Sequence, residues 1–188
     1  MGTPFCQPFI TWTPHEFVLT TVELHYRIDG KYYYLRFGKK GVKRVGTDNA
    51  NKGVAVTGVI GEDVHVVGIR VIENALSDSG FKVHSLGAQV SQEEFIQAAL
   101  ETNADAILVS SLSGHAEILV NSFRDKCVEA GIGDIILYIG GNLVLSEAQM
   151  GNAEAIFKDL GFDRVYLPGT TPNEVIAALT EDLARKGA

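Results

Sequence analysis

From residue 54 onward, short and nearly continuous apolar runs alternate with amphipathic stretches. The runs at 54–60, 82–86, 106–110, 135–139 and 164–167 have strand length and are rich in Val, Ile and Leu. The stretches at 66–79, 92–103, 118–130, 147–160 and 172–185 carry apolar residues at helical spacing. Local stop and start signals agree with these bounds. Gly80, Gly131 and Gly161 stand at or just beyond helix ends, where a left-handed residue closes the last turn. Ser91 with Glu94 forms a capping box, and Thr171-Pro172 with Glu174 starts the last helix.

Strands buried on both faces and joined by helices predict an α/β fold. The expected form is a doubly wound, five-stranded parallel sheet of Rossmann-like or flavodoxin-like type, in strand order 2-1-3-4-5. Ligands of such folds bind at the carboxyl ends of the strands, near the point where strand order reverses.

The first 49 residues follow another pattern. Alternating aromatic and β-branched residues at 21–28 and 31–37 flank Asp29-Gly30, which predicts a β-hairpin. Residues 46–53, rich in Gly, Asn, Asp and Thr, read as a linker. The expected division is therefore an extension at 1–49 and a principal domain at 50–188. Function is not readable from the extension, and His15 and His25 within it receive no chemical role.

Composition narrows the functional classes. The 188 residues suffice for one ordinary domain with a core; 46% are hydrophobic and 21% charged, a globular balance. A formal net charge of −7 argues against a nucleic-acid partner, and the basic run at 39–44 reads as a solvated linker. Cys6 and Cys127 lie far apart without metal-ligand spacing, so reduced thiols are expected, with Cys127 buried in a helix. No apolar stretch approaches membrane-spanning length, and no signal-peptide pattern opens the chain, so a cytoplasmic location is expected.

Three marks fall at carboxyl ends of expected strands. Asp63, His65 and Gly68 follow the first strand, Ser110, Ser111 and Leu112 close the third, and Gly140, Gly141 and Asn142 close the fourth. A neutral imidazole can ligate a metal through one ring nitrogen while a carboxylate takes the hydrogen of the other. Each mark alone has an ordinary reading, as a strand-end histidine, a hydroxyl or a tight turn. In the expected strand order they line one crevice. His84 reads as structural, and His115 as packing or as an edge contact of the site.

The chain from residue 50 resembles the small, cobalamin-binding subunits of the glutamate mutase (methylaspartate mutase) family. The wider cobalamin-binding pattern Asp-x-His-x-x-Gly, Ser-x-Leu and Gly-Gly stands here as Asp63/His65/Gly68, Ser110/Leu112 and Gly140/Gly141. Longer strings support the glutamate mutase branch: Ala104 to Leu112, Phe162-Asp163-Arg164-Val165-Tyr166, and Pro168-Gly169-Thr170. Ser113, His115 and Ala116 depart from the branch pattern.

The resemblance implies adenosylcobalamin bound with its own base detached and His65 as lower axial ligand to cobalt. Asp63 is then the partner of the imidazole, Gly68 leaves room for the nucleotide tail, and Ser110 bonds the displaced base. Leu112 packs near the corrin, Gly140 and Gly141 admit the tail, and Asn142, Leu143, Val144, Leu145 and Ser146 wrap it. Glu62, Val64, Val66 and Ser111 complete the expected contacts. The implied reaction interconverts L-glutamate and threo-3-methylaspartate through a cofactor radical, with no residue of this chain acting directly on substrate. A larger barrel-type subunit would carry the substrate, in a heterotetramer of two small and two large subunits. Alternatives are the small subunit of an acyl-CoA mutase, which Val64 and Val66 fit poorly, a methyl-carrying corrinoid protein, or a cobalamin-binding regulator.

Overall fold

A computed structural model of the chain describes the strand backbones at 21–28, 31–38 and 41–42, and residues 52–143 and 151–187. Contacts divide the chain into two units, Met1–Asp48 and Asn49–Ala188. In the first, β1 (Thr21–Ile28), β2 (Lys31–Gly38) and β3 (Gly41–Val42) form an antiparallel sheet with Ile28 paired to Lys31. Asp29-Gly30, most of the basic run and linker, Cys6 and His15 lie outside the described residues.

The second unit is the doubly wound sheet that the apolar alternation predicts. Its elements are β4 (Val54–Val59), α1 (Val67–Asp78), β5 (Lys82–Ser85), α2 (Gln92–Thr102), β6 (Ala106–Ser111), α3 (Ala116–Leu119), α4 (Phe123–Glu129), β7 (Ile136–Gly141), α5 (Ala153–Asp159), β8 (Arg164–Tyr166) and α6 (Pro172–Lys186). The five strands are parallel in the order β5-β4-β6-β7-β8, so strand order reverses between β4 and β6. Alternate residues feed two cores. Val56, Ile107 and Ile139 pack with Phe95, Phe123 and Phe157 under α2, α4 and α5. Ala55, Leu108 and Tyr138 pack with Leu76, Val175 and Leu179 under α1 and α6. Every residue of β6 is buried, the expected consequence of helices on both faces.

Both capping boxes form, at Ser91/Glu94 and Thr171/Glu174. Gly80, Gly131 and Gly161 take positive φ values of 95°, 80° and 89° just past the ends of their helices. One expected helix is broken. Residues 118–130 hold not one helix but the end of α3 and the whole of α4, because Ser122 adopts a left-handed φ of 62°. Gln92 Nε2 donates to the freed Leu119 and Asn121 carbonyls at 2.7 and 3.0 Å and satisfies the break. The helix expected from 147 is described from Ala153; residues 144–150 lie outside the described set.

Arg124 of α4 ties three segments together. Its guanidinium donates to the carbonyls of Gly161, Gly133 and Ile135 at 2.9, 2.9 and 2.7 Å, and it pairs with Asp163 at 2.9 Å. Removing it leaves three carbonyls short of a charged donor. Arg124→Met is expected to lower unfolding free energy by about 2–3 kcal/mol. Urea denaturation checks this; a loss under about 0.5 kcal/mol would show that water replaces the clamp at little cost.

Candidate functional site

The site is built where β4, β6 and β7 end side by side. Asp63 follows β4 and is buried, whereas His65, two residues on, has 68% of its side chain exposed. The carboxylate serves both loops flanking it. Its Oδ1 accepts from His65 Nδ1 at 2.6 Å and from the His65 backbone N–H at 2.9 Å. Its Oδ2 accepts from the backbone N–H of Leu112, after β6, at 2.5 Å. Burial pushes the Asp63 carboxyl upward, but the Leu112 and His65 backbone donors and the His65 ring outweigh it and hold the group below its ordinary value.

The tautomer of His65 follows from this geometry. An ionised carboxylate only accepts, so Nδ1 carries the ring hydrogen and Nε2 keeps a lone pair. That nitrogen makes no hydrogen bond among the described residues, and the exposed ring presents it outward.

Beside the histidine, a cavity of about 270 Å³ runs between the strand ends, α1 and the loop before α6. Its wall is mostly apolar: Ile69 and Ile72 from α1, Leu108 from β6, Ile139 from β7 and Val175 from α6. Tyr138 and Tyr166 line it as well, edge to face with ring centroids 5.4 Å apart. Tyr138 donates to Asp182 at 2.5 Å, and Arg164 grips the same carboxylate with two bonds of 2.7 Å. Burial, opposed by Arg164, pushes the Tyr166 phenol up to about 12, so the wall stays neutral.

The sequence marks occupy distinct places in this site. Gly68, Ser110, Leu112, Gly140, Gly141 and Asn142 line the cavity. A Cβ on Gly68 would meet nothing within 4 Å, so the start of α1 leaves open space there. The paired glycines answer to protein neighbours. A Cβ on Gly140 would lie 3.2 Å from Tyr166, and one on Gly141, at φ +122°, only 2.1 Å from the Ser111 carbonyl of the adjacent strand. Ser111 is fully buried, with its hydroxyl 3.2 Å from that of Ser113. Leu143 is buried in the core rather than exposed to the cavity. Glu62, Val64 and Val66 surround His65 on the β4–α1 loop, Glu62 and Val64 exposed and Val66 half-buried. Val144, Leu145 and Ser146 lie outside the described residues.

His84 is half-buried in β5, away from the cavity, and Cys127 is buried in α4. Tyr138 and the α1 wall residues carry no motif of their own, whereas Tyr166 ends the string from Phe162 without any sign there that its ring reaches the cavity. A second, wider recess of about 760 Å³ lies along β8, and its charged groups pair with one another, as in Lys158–Glu154 at 2.6 Å and Lys186–Asp134 at 3.0 Å. Among the described residues no helix is long and apolar enough to cross a membrane.

Comparison with known proteins covers the domain that holds this site. The family model "B12 binding domain" matches residues 53–177. The chain is 56% identical over 128 residues to a glutamate mutase sigma subunit of Carboxydothermus hydrogenoformans, spanning 68% of this chain and 93% of that one. It is 49% identical over 132 residues to the glutamate mutase sigma subunit of Clostridium cochlearium, spanning 70% and 96%. In fold it is similar to a cobalamin-binding protein from Desulfitobacterium hafniense, with a TM-score of 0.58 and 19% identity, over 69% of this chain and 58% of that one. The monomethylamine corrinoid protein of Methanosarcina barkeri shares the fold with a TM-score of 0.55 and 22% identity, over 70% and 58%.

Two outcomes test this geometry. Because Asp63 titrates lower in the folded chain than in the unfolded one, its contribution is complete above the ordinary carboxylate range and is lost as the pH falls through the folded value. Asp63→Asn is expected to flatten the fall in stability between about pH 5 and pH 2, measured by urea unfolding at each pH; parallel curves for the two proteins would refute it. Gly141→Ala is expected to destabilise the fold by about 3 kcal/mol or more, since backbone must move to admit the methyl group. A thermal midpoint equal to the parent's would show that β7 yields freely.

Proposed function

The chain belongs to the B12-binding domain family, and we propose that it is the cobalamin-binding subunit of a glutamate mutase. The reaction is the adenosylcobalamin-dependent interconversion of L-glutamate and threo-3-methylaspartate. One observation carries the reading: Asp63 fixes the hydrogen of His65 on Nδ1 and leaves an exposed Nε2 beside a largely apolar cavity.

The donor set fits the group. A neutral imidazole with a carboxylate on its other nitrogen is a stronger cobalt ligand than an unsupported one, because the carboxylate stabilises positive character on the ring. The cavity of about 270 Å³ has the apolar and aromatic lining that a benzimidazole-type base would pack against. Open space at Gly68 and the Ser110 hydroxyl at the cavity wall supply passage and a polar contact for the tail.

In this reading His65 Nε2 would ligate the cobalt and Asp63 would orient the ring. Leu112 holds Asp63 through its N–H, so the ligand is braced from two strand ends. Ser110 would bond the cofactor's base and Leu112 would pack against the corrin, both from the cavity wall. Glu62, Val64 and Val66 would shape the rim around His65, and Asn142, at the cavity wall, would meet the tail. When bound, the adenosyl form of the cofactor supplies a cobalt–carbon bond weak enough to break homolytically. This chain's part is to bind, orient and shield the lower face.

Substrate groups are assigned to a larger barrel-type subunit, in an assembly of two small and two large chains located in the cytoplasm. Mixed with cob(II)alamin, the wild-type chain is expected to give the absorption and EPR signature of cobalt ligated by a protein nitrogen, and His65→Ala to lose it. Asp63→Asn is expected to weaken binding by about 10- to 100-fold while keeping that signature. Glutamate turnover should appear only when a glutamate mutase large subunit is added. An unchanged spectrum in His65→Ala overturns the ligand assignment, and turnover by this chain alone overturns the division of labour.

A further inference from the structure

We propose that His115 is a cofactor contact: its Nε2 accepts a hydrogen bond from a primary carboxamide on the rim of the corrin. This rests on the reading that His65 carries the cobalt.

The β6–α3 loop is tied to the cobalt-ligand side of the site by the Leu112 N–H bond to Asp63. His115 follows three residues later, so its backbone lies within about 10 Å of Leu112 even for an extended chain. The loop turns instead. Gly114 takes a φ of +71°, and its N–H reaches the Asn142 carbonyl, just after β7, at 3.3 Å. His115 therefore stands on a loop held to both neighbouring strand ends, through Leu112 to Asp63 and through Gly114 to Asn142, and within reach of the loop that carries His65.

Its ring is also held in one tautomer. His115 Nδ1 stands 3.0 Å from the Ser113 carbonyl, which only accepts, so in the neutral ring Nδ1 carries the hydrogen. Nε2 is left as an acceptor and has no partner among the described residues. The His115 backbone N–H donates to Ser113 Oγ at 3.3 Å, and that oxygen meets Ser111 Oγ at 3.2 Å.

The surroundings select the ligand chemistry. Leu112 and Val64 flank His65 with 41% and 59% of their surface exposed, an apolar collar suited to the hydrocarbon underside of a corrin. His115 supplies a polar acceptor beside that collar, and a corrin rim carries amide N–H donors.

Spectral titration of the full chain with hydroxocobalamin and with diaquacobinamide tests this; cobinamide keeps the rim amides and lacks the nucleotide tail. His115→Ala is expected to weaken both ligands about fivefold, with the nitrogen-ligated spectrum and thermal midpoint unchanged. His115→Gln, whose amide oxygen also accepts, should recover most of the loss. Affinity of His115→Ala within twofold of wild type overturns the proposal, as does a glutamine variant as weak as alanine. A loss confined to cobalamin overturns it too, since the contact would then be to the tail. Failure of the wild type to bind either ligand overturns the His65 assignment as well, whereas tight wild-type binding with an indifferent His115 overturns this inference alone.

Discussion

The carboxylate of Asp63 is the point on which the site depends. One side chain, buried at the end of β4, accepts three hydrogen bonds from two loops: two from His65 and one from Leu112. Bonds to an ionised acceptor are roughly twice as strong as neutral ones, so this group locks both strand ends into one geometry. The same three donors keep it ionised against its own burial. An aliphatic residue there would leave His65 free to rotate and the Leu112 N–H without its partner.

The fold makes that convergence possible. In a parallel sheet all strands end on one side, and the order β5-β4-β6-β7-β8 puts β4 beside β6 and β6 beside β7. Loops distant in sequence are therefore neighbours in space, and a crevice opens where α1 and α6 cover one face. The close register of β6 with β7 explains the paired glycines. Ser110 stands opposite Gly140 and Ser111 opposite Gly141, and there is no space for a Cβ between Gly141 and the Ser111 carbonyl. The glycines let backbone and Tyr166 pack closely at the crevice, a constraint the protein itself imposes beside any that a ligand tail would add.

Some features were readable in the chain and others were not. β4 and β6 were, because strands covered on both faces are apolar at most positions. The capping boxes were, because they are local pairs of residues. The break between α3 and α4 was hidden. Ala116, Val120, Phe123 and Cys127 are all buried and keep helical spacing straight through it. Its cause is remote: Gln92 of α2 captures carbonyls 27 and 29 residues away and compensates the left-handed Ser122. Tyr138 and Tyr166 look like ordinary strand residues until β7 and β8 pair and bring their rings to the cavity wall.

By itself the sequence determined the layered α/β architecture and the strand ends that carry chemistry, because burial on two faces and helix capping are written in residue type and spacing. It also determined that a carboxylate and an imidazole two residues apart would share one loop. Only the tertiary structure decided which nitrogen of His65 is left bare, which atoms hold Asp63, and where an apolar cavity of about 270 Å³ opens beside them. The physical reason is that the decisive partner is a backbone N–H 49 residues away. Every residue but proline carries one, so it has no sequence signature, and only the packing of β4 against β6 brings it within reach.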